Sequence, residues 1–106
     1  MDTTIAATCL DALGNPTRLE IFRLLVRAGP EGASVGDLQG RLVIPGSTLS
    51  HHLSRLVRVG LVSQQRRSRT LVCRAEYARM DGLLEYLTDN CCEGLRDGSS
   101  EDFHAA

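Results

Sequence analysis

The chain has 106 residues, 42% of them hydrophobic, and a net charge of −1 from 12 basic and 13 acidic side chains. That length fits one domain with a modest core, and no apolar run approaches the ~20 residues of a membrane span. The start MDTTIAATCLDALG has neither the basic residues nor the apolar block of a signal peptide, so the expected location is the cytoplasm and the expected redox state of the four cysteines is reduced.

Charge is unevenly placed. Every basic residue is Arg. Residues 1–40 hold three Arg against five acids, residues 41–79 hold eight Arg against Glu76 alone, and residues 80–106 hold one Arg against seven acids. A basic middle in a near-neutral chain points to a polyanion-binding face, although a solvated surface would carry the same charges.

In chain order, Ile5, Cys9 and Leu13, with Leu10 beside them, predict a helix over 3–13. Asn15 as cap and Pro16 at the first helical position open a second helix over 16–28, with Leu19, Ile21, Phe22, Leu24, Leu25 and Val26 as a wide buried face. Gly29-Pro30 ends it. Ser34, with Asp37 three residues on, opens a short helix marked by Val35, Leu38 and Leu42, which stops at Pro45-Gly46. The next helix spans about 47–59, with Leu49, Leu53, Leu56 and Val57 toward the core and Gly60 as its C-terminal cap. The period then changes: 61–65 and 70–74 predict a hairpin whose tip is Arg66-Arg67-Ser68-Arg69. A last helix runs from Glu76 to about Cys92, with Met80, Leu83, Leu84 and Leu87 facing one way. Residues 94–106 read as a flexible tail, which leaves 1–93 as the folded domain.

The order predicts a mainly α fold of five helices and a two-stranded wing, that is, a winged helix-turn-helix. In the second helix of that unit, Thr48, His51, His52 and Arg55 are expected on the side opposite the core, with Ser47 and Ser50 near its start. Short hydrogen-bonding groups and one long cation at the N-terminal part of such a helix suit the major groove of double-stranded DNA. Arg66, Arg67 and Arg69 of the wing suit phosphates or a minor groove. Adjacent helical residues point ~100° apart, so His51 and His52 would chelate a metal poorly. A solvated helix face, or a winged module that binds protein, are the alternatives.

NPTRLEIFRLL, then STLSHHLSRLVRVGLV, then an Arg-rich wing together resemble the ArsR/SmtB family of small winged-helix repressors over about residues 5–93. MDGLLEYLTDNCC resembles the last helix of the arsenic-responsive members that carry their cysteines at the C-terminus. The resemblance implies a homodimer joined mainly by the first and last helices, repression by the ligand-free dimer, and release of DNA when ligand binds. Dimer symmetry in turn implies a palindromic operator.

Cys91 and Cys92 are adjacent. Consecutive Cα atoms lie ~3.8 Å apart, short of the ~4.4–6.8 Å usual for a disulfide. A negative helix end flanked by Asp89 and Glu93 suits a nucleophilic cysteine poorly, so an enzyme is not expected. Soft thiolates favour soft metals, and the same chemistry extends to trivalent arsenic or antimony, here as an inducer rather than a resident cofactor. Similar C-terminal sites often have a third cysteine beyond the pair, and EGLRDGSSEDFHAA has none. The family's other arsenic site, a cysteine pair on the helix before the turn, is also missing, since SVGDLQG holds no cysteine. Either the site has two sulfurs, as a methylated arsenical would need, or Cys73 supplies a third, or Cys9 does, from the partner chain. Singly, Cys9 and Cys73 read as small buried hydrophobes. A zinc site on Asp81, Glu85, Asp89 and Glu93 lacks a histidine on the helix. A thiol-redox or sulfur-responsive switch through Cys73 and the pair is the remaining alternative.

Overall fold

A computed structural model of the chain describes residues 1–95. Its elements run α1 (Thr3–Leu13), α2 (Pro16–Ala28), β1 (Ala33–Ser34), α3 (Val35–Leu42), α4 (Gly46–Arg58), β2 (Val62–Arg67), β3 (Thr70–Ala75) and α5 (Tyr77–Thr88). The five expected helices are present. The sheet has three strands in the order β1-β3-β2, all antiparallel, where two were expected. The extra strand is Ala33–Ser34, which pairs with Cys73 and Val72. Two residues without a β-forming side chain carry no strand pattern of their own, and β3 supplies the template.

Local chemistry accounts for the helix starts. The Asn15 side chain accepts the Arg18 N–H at 3.0 Å, and that of Ser34 accepts the Asp37 N–H at 3.0 Å. Each satisfies a donor that the first helical turn leaves without an internal partner. The end of α4 is equally defined. Gly60, at φ +80°, lets its N–H reach the Val57 carbonyl at 3.0 Å while the Leu61 N–H reaches that of Leu56 at 3.1 Å. This paired closure requires a left-handed residue, hence glycine. Leu61 then accepts from the Glu76 N–H at 2.8 Å. One leucine therefore joins the exit of α4, the start of the wing and the start of α5.

The core is built from Ala6, Cys9 and Ala12 of α1, Ile21, Phe22 and Leu25 of α2, Leu38 of α3, and Leu49, Leu53 and Leu56 of α4, closed by Leu61, Val62, Cys73, Ala75 and Leu83. Several expected core positions are open instead. Leu19 of α2 is exposed, as are Ile5 and Leu10 of α1 and Leu84 and Leu87 of α5. Val57 is also exposed, because it turns from the core toward the wing. Thr3 and Tyr86 share a side-chain hydrogen bond that ties the start of α1 to α5.

The last helix stops at Thr88, four residues short of the expected end. Beyond Leu87 the chain offers Thr, Asp, Asn, Cys, Cys and Glu, with no large apolar side chain to bury, and tertiary burial is what sustains a short helix. The Thr88 hydroxyl donates back to the Leu84 carbonyl at 2.9 Å, and Asn90 takes a left-handed conformation that asparagine tolerates. Gly94 and Leu95 lie outside regular structure. The rest of the expected tail, residues 96–106, lies outside the described residues. Among the described residues no helix is long and apolar enough to cross a membrane.

Candidate nucleic-acid interface and dithiol

α3, the turn over residues 43–45 and α4 form the helix-turn-helix unit, with β2 and β3 following as the wing. The turn is tight because Val43 adopts φ +51° and returns its N–H to the Gln39 carbonyl at 2.9 Å. α4 buries Leu49, Leu53 and Leu56. With ~100° per residue, the direction opposite those three leucines is taken by Ser47, His51, Ser54 and Arg58, all exposed. Thr48 and Ser50 flank that stripe and are exposed too.

Two expected members of the outward face are turned aside. His52 and Arg55 are half-buried and face α1 and α2. Arg18 places Nη1 3.4 Å from His52 Nδ1 while its Nε donates to the Ala12 carbonyl at 2.7 Å. Burial, then the charges of Arg18, His51 and Arg55, hold His52 below its ordinary value. A neutral ring can accept the Arg18 proton at Nδ1. Arg55 donates to Asp11 across 3.4 Å, the one ion pair among the described residues. Ser54 and Arg58 were not expected on this surface. A helical wheel centred on the buried leucines, instead of spacings counted from Thr48, identifies both.

The wing arginines divide. Arg66 and Arg67 lie within β2, opposite Leu71 and Thr70, and the tip is the two-residue turn Ser68-Arg69. Strand alternation sends Arg66 and Arg67 to opposite faces, with Gln64 on the Arg66 side. All three are exposed.

The four cysteines also divide. Cys9 is fully buried, its thiol 3.7 Å from the Val59 carbonyl. Cys73 is fully buried in β3, and Gln64 Nε2 donates to its sulfur at 3.4 Å. Burial pushes both thiols up, against a smaller opposing effect from Arg79 on Cys9 and from Gln64 on Cys73. Cys91 and Cys92 are exposed one turn past α5, with sulfurs 3.3 Å apart. The Cys91 N–H donates to the Thr88 carbonyl at 3.0 Å, and the Glu93 N–H to that of Asn90 at 3.3 Å. Asn90 and Cys92 are both left-handed, at φ +59° and +64°. Strained backbone of this kind concentrates at functional sites. The structure brings Cys91 and Cys92 together and places neither Cys73 nor Cys9 beside them. Among the described residues no group of three or more His, Cys, Asp or Glu converges on a point that could hold a metal ion. The carboxylate stripe is also cut, since Asp89 and Glu93 fall beyond the helix end.

This burial sets an alkylation pattern. Iodoacetamide on the native chain is expected to modify Cys91 and Cys92 within minutes and to spare Cys9 and Cys73 until denaturant is added. Peptide mass spectrometry reads it, and rapid labelling of Cys73 would contradict the packing described.

The model of a family described as "Helix-turn-helix domain" matches residues 13–65. The transcriptional activator HlyU of Vibrio cholerae is 32% identical over 88 residues, covering 83% of this chain and 79% of HlyU. Its solved structure superposes with a TM-score of 0.69 at 31% identity, over 87% of this chain and 99% of that one. A putative arsenical resistance operon repressor, ArsR2 of Halobacterium salinarum, is 39% identical over 57 residues, 54% of this chain and 47% of the relative. The homodimeric winged helix-turn-helix domain Mb0332 of Mycobacterium bovis, described as a possible ArsR-family transcriptional regulator, aligns at 26% identity with a TM-score of 0.64, over 82% of this chain and 81% of that one.

Proposed function

Since the chain belongs to the ArsR-type winged helix-turn-helix transcription regulators, we propose that it is a homodimeric repressor that releases a palindromic operator when trivalent arsenic or antimony binds Cys91 and Cys92. The observation that carries this reading is the exposed thiol pair 3.3 Å apart just beyond α5. With sulfur–metal bonds of about 2.3 Å, those sulfurs subtend about 90° at a shared centre. That angle suits a pyramidal trivalent metalloid better than tetrahedral zinc. Only two sulfurs are local, which favours a methylated trivalent arsenical, whose third position is already filled by carbon. The relative ArsR2, named for arsenical resistance, supports the inducer class.

The dimer is proposed through α1 and α5. Ile5 and Leu10 on the first helix and Leu84 and Leu87 on the last are exposed apolar side chains on elements that already touch through Thr3 and Tyr86. The homodimeric Mb0332 domain has the same architecture. A ligand that closes the turn after Thr88 then acts on the element that holds the two protomers, and through α1 on the Asp11–Arg55 pair at α4. Ligand must bind the DNA-free form better, and DNA must weaken ligand binding by the same factor. Ser47, Thr48, Ser50 and His51 face the major groove, with Arg55 and His52 at its margin and the wing arginines on the backbone.

Fluorescence anisotropy with duplex from upstream of the chain's own gene tests the reading. Saturating arsenite, antimonite or methylarsenite is expected to weaken binding about 5- to 150-fold, the range of ordinary allosteric coupling, and to have no effect on Cys91→Ser/Cys92→Ser. Equal release in the double variant would sink the dithiol as the inducer site. Zinc is expected to release neither form.

A second reading, redox control through the same thiols, has one observation behind it: HlyU has been solved in a form described as reduced, at 31% identity to this chain. Release by mild oxidant without metalloid, with a defined disulfide seen by non-reducing mass spectrometry, would favour it.

A further inference from the structure

A groove of about 380 Å³ runs between α2 and α5. Leu19, Phe22, Arg23, Val26 and Arg27 line it from α2, where spacings of three and four put them on one side of the helix. Leu83 and Leu84 face them from α5. Phe22 and Leu83 are buried at the inner side, whereas Leu19 and Leu84 are 43% and 54% exposed. Arg23 and Arg27 are exposed beside these leucines. No carboxylate lines the groove, and neither arginine enters an ion pair with any described residue. An apolar concavity with a few charged groups gathered on one side is the usual form of a small-molecule site. A neutral apolar guest would leave both guanidinium groups unanswered, and a compact polar anion would leave the leucines uncovered. A guest with an apolar body and one anionic end answers both.

We propose that this groove binds an aliphatic carboxylate of medium chain length, with the chain between α2 and α5 and the carboxylate on Arg23 and Arg27. Guanidinium matches a carboxylate in paired hydrogen bonds, and two arginines one helical turn apart can share one such group. The volume is at the small end of the about 300–1,000 Å³ of ordinary ligand sites, which suits a single unbranched chain. The position gives the site its interest. α2 also carries Arg18, which contacts His52 of α4, and α5 leads to Cys91 and Cys92. A guest that bridges the two helices therefore touches both the support of the DNA-facing helix and the helix that ends at the dithiol. The site goes beyond the metalloid reading and stands without it.

Isothermal titration calorimetry with decanoate, octanoate and 1-decanol, all below their aggregation limits, provides the test. It needs neither DNA nor metalloid, so its outcome is separate from that of the repressor reading. Decanoate is expected to saturate at one per protomer. Each buried methylene contributes about fourfold in affinity, so octanoate is expected to bind about 10- to 15-fold more weakly. In Arg23→Gln/Arg27→Gln, decanoate is expected to lose at least about tenfold, while 1-decanol binds weakly and equally to both proteins. Melting temperatures of the two proteins are expected to agree, since both arginines are exposed. Val26→Phe, which fills the groove, is expected to abolish binding of all three. No saturable decanoate binding at millimolar concentration, or equal affinity in the arginine variant, would overturn the proposal. Leu84 also belongs to the dimer face proposed above, so sedimentation velocity is run alongside. If Val26→Phe turned dimer into monomer and decanoate bound neither protein, the groove would belong to a second copy of the chain and the proposal would fall.

Discussion

Gly32→Ala is expected to destabilise the fold by about 2–4 kcal/mol, from a positive φ that alanine disfavours and from overpacking. Gly32 sits at φ +73°, and a Cβ there would lie 2.1 Å from the Cys73 carbonyl oxygen and 2.8 Å from Arg74 Cγ. Its N–H closes the turn from Gly29 at 3.0 Å, which delivers Ala33 to its place opposite Cys73. The carbonyl belongs to the central strand and cannot yield, so β1 must leave the sheet or β3 must bend. Thermal denaturation at fixed protein concentration measures the loss, expected as a fall of at least about 10 °C in Tm. Gly40→Ala provides the opposite control. Nothing lies within 4 Å of its added Cβ, in the interior of α3, and a gain of about 0.5–1 kcal/mol is expected. If Gly32→Ala stayed within about 0.5 kcal/mol of the parent, the close approach of β1 to β3 would be refuted.

Leu53→Ala is expected to cost about 2–5 kcal/mol, the transfer term plus the cavity it leaves. Leu53 is 1% exposed in the middle of α4, between Leu49 and Leu56. A domain this small has a total stability toward the low end of about 5–15 kcal/mol, so the variant is expected to be largely unfolded near 37 °C. The neighbouring Ser54→Ala removes an exposed hydroxyl from the outward stripe and is expected within about 0.5 kcal/mol of the parent, with DNA affinity reduced. Two adjacent residues thus separate what holds the helix from what the helix presents. Equal melting temperatures for the two variants would mean that α4 is not anchored as described.

Short-range chemistry was legible in the sequence. Asn15-Pro16, Ser34 and Gly60 each act within a few residues, and each marks the helix boundary found. The apolar stripe of α4 was legible too, since Leu49, Leu53 and Leu56 must share a side. The polar side was harder. Counting spacings from Thr48 selected His52 and Arg55, but a residue's availability depends on what packs beside it, and Arg18 and Asp11 arrive from other helices. Strand β1 left no local trace because it exists only where Gly32 lets the chain approach β3. The end of α5 was overestimated because residues 89–93 break no helix rule strongly, and the lack of anything for them to bury decides it. That neither remaining cysteine stands beside Cys91 and Cys92 turns on the same long-range fact: Cys9 and Cys73 lie inside the core.

The closure at Gly60 and Leu61 has a mechanical consequence. From the last turn of α4 into β2 the backbone bonds to itself at Val57 and Leu56, and onward to Glu76, which restrains the joint between helix and wing. Helix and wing are therefore a caliper of set gauge. Docking it loses little entropy at that joint, and most of the fit is left to the duplex. The adjustment falls on the DNA, whose groove width and bend vary with sequence at a cost of a few kcal/mol. Duplexes whose unbound shape already fits this spacing are expected to bind more tightly, which would extend selectivity to base pairs outside direct contact.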